Sequence, residues 1–325
     1  IANNAAININ SGDALEGRAL STAGAVTVDG VLAYTPIGCG SPVLNGPTAP
    51  SLGGAACYAI FSGNGSVSNT GITYATGDVG TNVGLCTGFN TLNVTGKVHP
   101  IPDGSTAQCA TDLLIAYNYV NTLPHDIELL YPAQFGNNLV LTPNTYLLNA
   151  ATTLTDSLYL NALGNVNAVF VIKINGALTT STYAKIKLIN GAQSRNVYWK
   201  VEGAASINNY SVFRGTVIVN NGALSAVNTG VFIDGRILTT TGALSASATT
   251  VIATAIPSYC ATLDVDDLDA INTSVSIYPN PFSSSINITI NKSAQINKAV
   301  LMMYNVLGEV VLNTAITKEL MTLEM

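Results

Sequence analysis

Residues 167–182 read NAVFVIKINGALTTST, a run of alternating Val, Phe and Ile that breaks at Asn-Gly and resumes as Leu-Thr-Thr. Two short strands separated by a tight corner fit this spelling. β-Branched and aromatic residues favour the pleated conformation, and Asn-Gly accepts the positive φ of a sharp turn. Similar runs recur on both sides: AKIKLI (184–189), NVYWKV (196–201) and FRGTVIV (213–219), most of them linked by INGA- or NNGA-like corners. Many short strands at close intervals, with Gly and Asn at the bends, predict a solenoid or a sandwich. The spacing is too uneven for a strict repeat-length β-helix.

A longer repeat lies over this pattern. Residues 16–26, EGRALSTAGAV, match residues 234–244, DGRILTTTGAL, and each copy runs on through an apolar strand to a cysteine, Cys39 or Cys260. Self-similarity at this distance predicts duplication. Residues 1–38 are expected to be the tail of an upstream domain and residues 55–260 a complete second copy. The Gly/Pro/Ser-rich stretch 39–54 reads as a linker. The acidic stretch LDVDDLDA within 261–274 reads as a second, solvated linker ahead of residues 275–325. The first residue is Ile1, with no charged and apolar leader after it, so any signal peptide is expected upstream.

One helix is predicted. Ser105-Thr106-Ala107-Gln108 has the form of a capping box, Ala110, Leu113, Leu114, Tyr117 and Val120 follow at helical spacing, and Pro124 ends the run. A single helix in an all-β chain is expected to cover one apolar side of it.

Composition narrows function. Of 325 residues 48% are apolar but only 9% charged, and mean hydropathy is +0.37. No apolar run approaches the roughly 18 residues of a spanning helix. The net charge of −6, without a basic stripe, disfavours nucleic acid and anionic membrane surfaces as partners. The five cysteines include no C-x-x-C pair. Cys39 is expected to pair upstream, leaving Cys86–Cys109 and Cys57–Cys260 as the expected disulfides. Free buried thiols are the alternative.

Catalytic groups do not assemble in the sequence. His99 and His125 each adjoin a proline, no G-x-S-x-G elbow accompanies them, and Asp78, Asp103 and Asp112 are scattered. They read as surface or corner residues, and neither an enzyme, nor a metal site, nor a cofactor is expected. Threonine stands out instead: TGIT (70–73), TYAT (73–76), TTST (179–182) and TTTG (239–242), with NTG at 228–230. Residues i and i+2 of a strand share a face, and stacked strands lie about 4.8 Å apart. Stiff, half-apolar Thr side chains in such an array could order water with ice-like spacing, where charged groups would hydrate irregularly.

The ordered motifs NTGITYATGDVGTN (69–82), AQCATDLLIAYNYVNTL (107–123), LTPNTYLL (141–148), IKLINGAQSRNVYWKV (186–201) and DGRILTTTGAL (234–244) resemble the microbial ice-binding protein family. The resemblance spans about residues 55–258. It implies an irregular right-handed β-solenoid of triangular section with one long helix alongside, and a cap region near residues 85–105. It also implies an ice-binding face carrying T-A/G-x-T/N motifs. Thr70-Gly71-Ile72-Thr73 fits that motif, and Thr179-Thr180-Ser181-Thr182 departs from it at the second position. The residues expected on the face are Thr70, Thr73, Thr76, Thr153, Thr155, Thr180, Thr182, Asn209, Ser211, Asn228, Thr239 and Thr241. Implied partners are the ice surface and, for export, a secretion apparatus.

The alternative reading of the same uncharged face is a cell-surface adhesion or glycan-binding module. It would call for exposed aromatics, and the one tryptophan, Trp199, lies in an apolar strand. Towards the C-terminus, Tyr278-Pro279-Asn280-Pro281-Phe282 and Tyr304-Asn305-Val306-Leu307-Gly308-Glu309-Val310 are similar to type IX secretion sorting domains. These are small β-sandwiches, and the sequence shows no final strand after VVLN (310–313).

Overall fold

The computed structural model describes residues 1–34, 43–260, 275–278, 284–290, 300–305, 308–318 and 320–324. The chain divides into two compact units, Ile1–Cys260 and Ala261–Met325.

The first unit holds a solenoid of parallel strands. An eight-stranded sheet carries, in spatial order, Phe135–Gly136, Thr152–Thr155, Leu178–Thr180, Ala205–Ile207, Leu224–Val227, Leu244–Ser247, Val67–Thr70 and Cys86–Thr87. A fifteen-stranded sheet forms the other two sides. Its two sides join where the long strands Val212–Asn220 and Phe232–Thr239 bend at the registered pair Gly215 and Gly235, with φ of 104° and 148°.

The chain order within the stack is discontinuous. Tyr58–Ser62, early in the sequence, pairs with Phe232–Thr239, and Tyr74–Thr76 pairs with Thr250–Ile252. The chain then builds outward to Val98–His99 at one end and must restart at Ile127–Glu128 at the other. Eight strand spacings separate those ends, about 38 Å at 4.8 Å each. Helix α1, Gly104–Thr122, makes most of that return, since 19 residues rise about 28 Å.

Alternation along the strands fills the interior. Trp199 packs between Phe213 and Phe135 and donates its indole N–H to the Arg214 carbonyl at 2.9 Å. Helix α1 covers one side through Leu113, Ala116 and Tyr117 against Tyr58, Phe61, Ile218 and Leu238, and through Val120 against Val171 and Tyr198. Leu114, expected on this buried face, points outward at 49% exposure. The helix cap lies two residues earlier than the sequence suggests. Asp103 is the N-cap and accepts from the Ser105 and Thr106 N–H groups, while Thr106 Oγ1 accepts from the Asp103 N–H. Lys173, buried in the sheet, donates to the Asn121 and Leu123 carbonyls at 2.9 and 2.6 Å and satisfies the helix C-terminus.

The later part of the stretch read as a linker is bound to the solenoid. The Asn45 carbonyl accepts from Val169 N–H, and the Thr48 carbonyl from the Tyr119 hydroxyl. Cys57 and Cys260 form the expected disulfide across a sequence separation of 203. Cys86–Cys109 does not form. Cys86 lies in the main core and Cys109 in the separate cluster beneath the helix, both as free buried thiols. Burial pushes Cys86 up to about 12 and raises Cys109 as well. Cys39 lies outside the described residues.

Residues 1–34 repeat the register of the solenoid. Ala14–Glu16 pairs with Leu32–Tyr34 as Phe232–Asp234 pairs with Thr250–Ile252, residue for residue at the repeat's offset. The second unit contains an antiparallel sheet of Val275–Tyr278, Ser285–Ile290 and Leu320–Glu324, and a hairpin of Val300–Tyr304 with Val310–Ala315. Ile286, Ile288 and Ile316 form its core. Leu320–Glu324 is a strand that the sequence reading missed.

Candidate functional site

The three sides of the solenoid differ in chemistry. One is covered by α1. The second carries Lys185, Lys187, Arg214 and Asp234, the last two ion-paired, together with Tyr74 and Phe232. The third is the outer surface of the eight-stranded sheet, where none of the strand residues is charged.

On that third side apolar residues point inward and hydroxyls outward. Leu178, Ala205, Leu224, Leu244 and Val67 are buried, and the residues that follow them are Thr179, Ser206, Ser225, Ser245 and Ser68. Registered pairing aligns Thr153 with Thr179 and Ser206, and Ser245 with Ser68 and Thr87. Ser247 pairs with Thr70 in a parallel file, and Thr155 holds the matching position on its own strand. Files lie about 6.7 Å apart along a strand and rungs about 4.8 Å apart across it. The Ser68 and Ser245 hydroxyls are 3.2 Å apart, and an amide ladder from Asn228 to Asn208 at 2.9 Å borders the array.

The expected face residues divide accordingly. Thr70, Thr153 and Thr155 lie on this sheet and Asn228 at its edge. Thr73, Thr180, Ser211 and Thr239 do not, because each is buried at 2% exposure or less. Thr73 donates to Asn69 Oδ1 at 2.6 Å, Thr180 contacts Ser211 at 3.1 Å, and Thr239 donates to the Thr241 carbonyl at 2.6 Å. These hydroxyls satisfy backbone and polar groups at the corners, where strand runs end. Thr76 is on the charged side, Thr182 and Asn209 precede the stacked rings of Tyr183 and Tyr210, and Thr241 accepts from Asn221 N–H in a corner. Sequence reading missed Ser68, Thr87, Thr179, Ser206, Ser245 and Ser247. Ser206 and Ser245 each stand alone between two buried apolar residues, a signal that a search for threonine clusters passes over.

This uncharged, registered hydroxyl sheet on a discontinuous parallel solenoid agrees with the comparisons. The profile of the Ice-binding-like family matches residues 61–252. The chain belongs to that family. It is 31% identical over 275 residues to ice-binding protein 1 of Shewanella frigidimarina, covering 75% of this chain and 30% of that protein. It is 33% identical over 198 residues to an ice-binding protein of Nostoc sp., covering 60% and 70%. A solved ice-binding protein from an Antarctic bacterium, Flavobacteriaceae, shares 62% identity with a TM-score of 0.73, covering 77% of this chain and 59% of that one. The chain thus spans less than two thirds of the Shewanella and Flavobacteriaceae proteins. Residues 276–325 match the profile of a secretion system C-terminal sorting domain.

One polar cluster of this ice-binding-like chain lies away from the sheet. His99, expected at a surface or corner, is buried, and two aspartates expected to be scattered meet it. Asp103 Oδ2 is 2.6 Å from Nδ1 and Asp78 Oδ2 is 3.8 Å from Nε2. Ser105 Oγ also approaches Nδ1, at 3.5 Å. A Ser-His-Asp relay needs the nucleophile and the orienting acid on opposite ring nitrogens, whereas Ser105 and the tightly held Asp103 share Nδ1, so this arrangement is a lock between the helix N-terminus and the cap strands. Burial alone would lower His99, but the two carboxylates outweigh it and raise it above its ordinary 6.5. Burial raises Asp103 less than His99 and the Thr106 and Ser105 donors lower it, leaving it at about 2 against 3.8.

The raised histidine stabilises the fold below 6.5, and its contribution is lost as pH rises through its folded value. The lowered aspartate contributes above 3.8 and loses this as pH falls towards about 2. The Tm difference between wild type and His99→Gln should therefore be largest between about pH 4 and 6.5 and shrink on either side. A pH-independent difference would reject the lock.

Proposed function

We propose that this protein adsorbs to ice through the hydroxyl side of its eight-stranded sheet and so restrains ice growth and recrystallisation. The observation that carries the reading is the registered file of Thr and Ser, uncharged and uncovered, on a rigid parallel sheet. Short, stiff side chains at fixed spacing lose little entropy when they hold ordered water, and bound water of that spacing merges with the crystal. The role is adsorption rather than catalysis. The sorting module supports export to the cell exterior or the outer cell surface, where ice is met. The repeated register of residues 1–34 supports a second ice-binding domain upstream in the parent chain.

The test is direct. Purified protein at micromolar concentration should facet a growing ice crystal, open a gap between melting and freezing, and partition into a slowly grown ice hemisphere. Smooth, unshaped growth with the protein left in the liquid would rule the proposal out.

A further inference from the structure

The hydroxyl array is interrupted at one rung. Ala205 pairs with Leu224 and Ile207 with Val227, so two residues, Ser225 and Ala226, stand opposite Ser206 alone. The same surplus recurs on the other side, where Leu224 pairs with Leu244 and Val227 with Ala246. This is a β-bulge in the middle of the sheet, and a bulge kinks its strand and sharpens the local twist. The Ser225 hydroxyl turns back to the Ala205 carbonyl at 3.2 Å instead of joining its neighbours. Thr153, Thr179 and Ser206 lie on one side of the bulge, and Ser245, Ser68 and Thr87 on the other.

The first copy of the repeat carries the same rung without the surplus. Between its Asn-Asn pair (Asn3-Asn4) and its acidic-Gly-Arg corner (Glu16), it is one residue shorter than the stretch from Asn220-Asn221 to Asp234. There Ile7, Asn8 and Ile9 pair regularly with Val26, Thr27 and Val28. The corner therefore closes with either length, and the extra residue is not demanded by the solenoid.

Resting on the proposed ice-binding role, we infer that the residue inserted at Ser225–Ala226 divides the ice-facing array into two patches that engage ice separately. It thereby sets the strength of adsorption. Two rigidly joined sites gain avidity only when geometry lets both engage at once, and a kink between two planes forbids that on one flat crystal face. Deleting Ala226 would leave Leu-Ser-Val-Asn, the spelling of the adjacent Ala-Ser-Ile-Asn rung (205–208), and restore one continuous file.

The experiment compares the full chain with the Ala226 deletion at equal molarity, reading thermal hysteresis, ice partitioning and circular dichroism. A folded deletion variant should show hysteresis raised by about twofold or more. Unchanged or reduced hysteresis in a folded variant would overturn the inference. A second arm holds even if the deletion fails to fold. Thr179→Tyr and Ser68→Tyr block one patch each, so each alone should leave about half of the ice-partitioned fraction and the double variant almost none. A single substitution as severe as the double one would also overturn it. Failure of the wild-type chain to partition into ice would instead remove the functional reading beneath it.

Discussion

Replacing Cys57 and Cys260 together with serine should lower Tm by about 10–20 °C, measured by calorimetry against wild type. The bridge closes a loop with a sequence separation of 203. Loop-closure entropy for that length corresponds to about 5 kcal/mol in the chain-entropy treatment, towards the top of the observed range. At roughly 2–4 °C per kcal/mol for a domain of this size, the predicted shift follows. Topology makes the bridge matter beyond its length. Tyr58–Ser62 must dock beside Phe232–Thr239, which the chain supplies only at its far end. The adjoining turn Gly53–Cys57 carries Ala55 into the cluster beneath α1, and Gly54 N–H is held by Asp112 at 2.6 Å. Untying Cys57 therefore loosens the seam of the solenoid and the seat of the helix together. A shift below about 3 °C would show that packing alone holds the seam.

The parts of this architecture that were legible in the sequence are those written locally. Val, Ile and Phe alternating up to an Asn-Gly corner specify a short strand and a bend whatever they pack against. The helix was legible from Leu113, Tyr117 and Val120, although Asp103 rather than Ser105 caps it, because competing caps two residues apart differ only in tertiary partners. The Cys57–Cys260 pair followed from the repeat. Cys86–Cys109 failed because nearness in sequence says little when a parallel stack sends neighbouring segments to different sides of the core.

The site was harder to read for a related reason. A threonine that ends a strand and one that faces outward look alike in sequence. Thr180 and Thr179 are neighbours, yet one is buried against Ser211 and the other lies on the array. Inward and outward follow from the register of each strand with its neighbours, and a shift of one residue exchanges them. The bulge at Ser225–Ala226 is such a shift. Only the pairing revealed that the serines, less conspicuous than the threonine clusters, make up much of the face.

Register also governs the second large effect. Gly235→Ala should cost about 4 kcal/mol or more, combining backbone strain with overpacking of a closed structure. Gly235 has φ +148°, and an added Cβ would stand 1.9 Å from the Gly215 carbonyl oxygen and 2.4 Å from its carbon. Both are backbone atoms, so no side chain can swing aside. The neighbouring rung is equally closed, since a Cβ on Gly215 would meet the Val197 carbonyl oxygen at 2.5 Å. Relief requires parting the two long strands at the bend, where Arg214 pairs with Asp234 and Thr216 with Arg236. Arg236 is buried and donates to the carbonyls of Ala56 and Thr254, so moving it uncovers a cation that has no carboxylate partner among the described residues and breaks a second tie to the Cys57 seam. Gly104→Ala is the matched control: it opens helix α1 with nothing within 4 Å of the added carbon and no positive φ, and should leave Tm nearly unchanged. Urea midpoints for both variants decide the matter. A Gly235→Ala protein as stable as Gly104→Ala would mean that the two faces of the long strands do not need this bend, and that the solenoid's corner is set elsewhere.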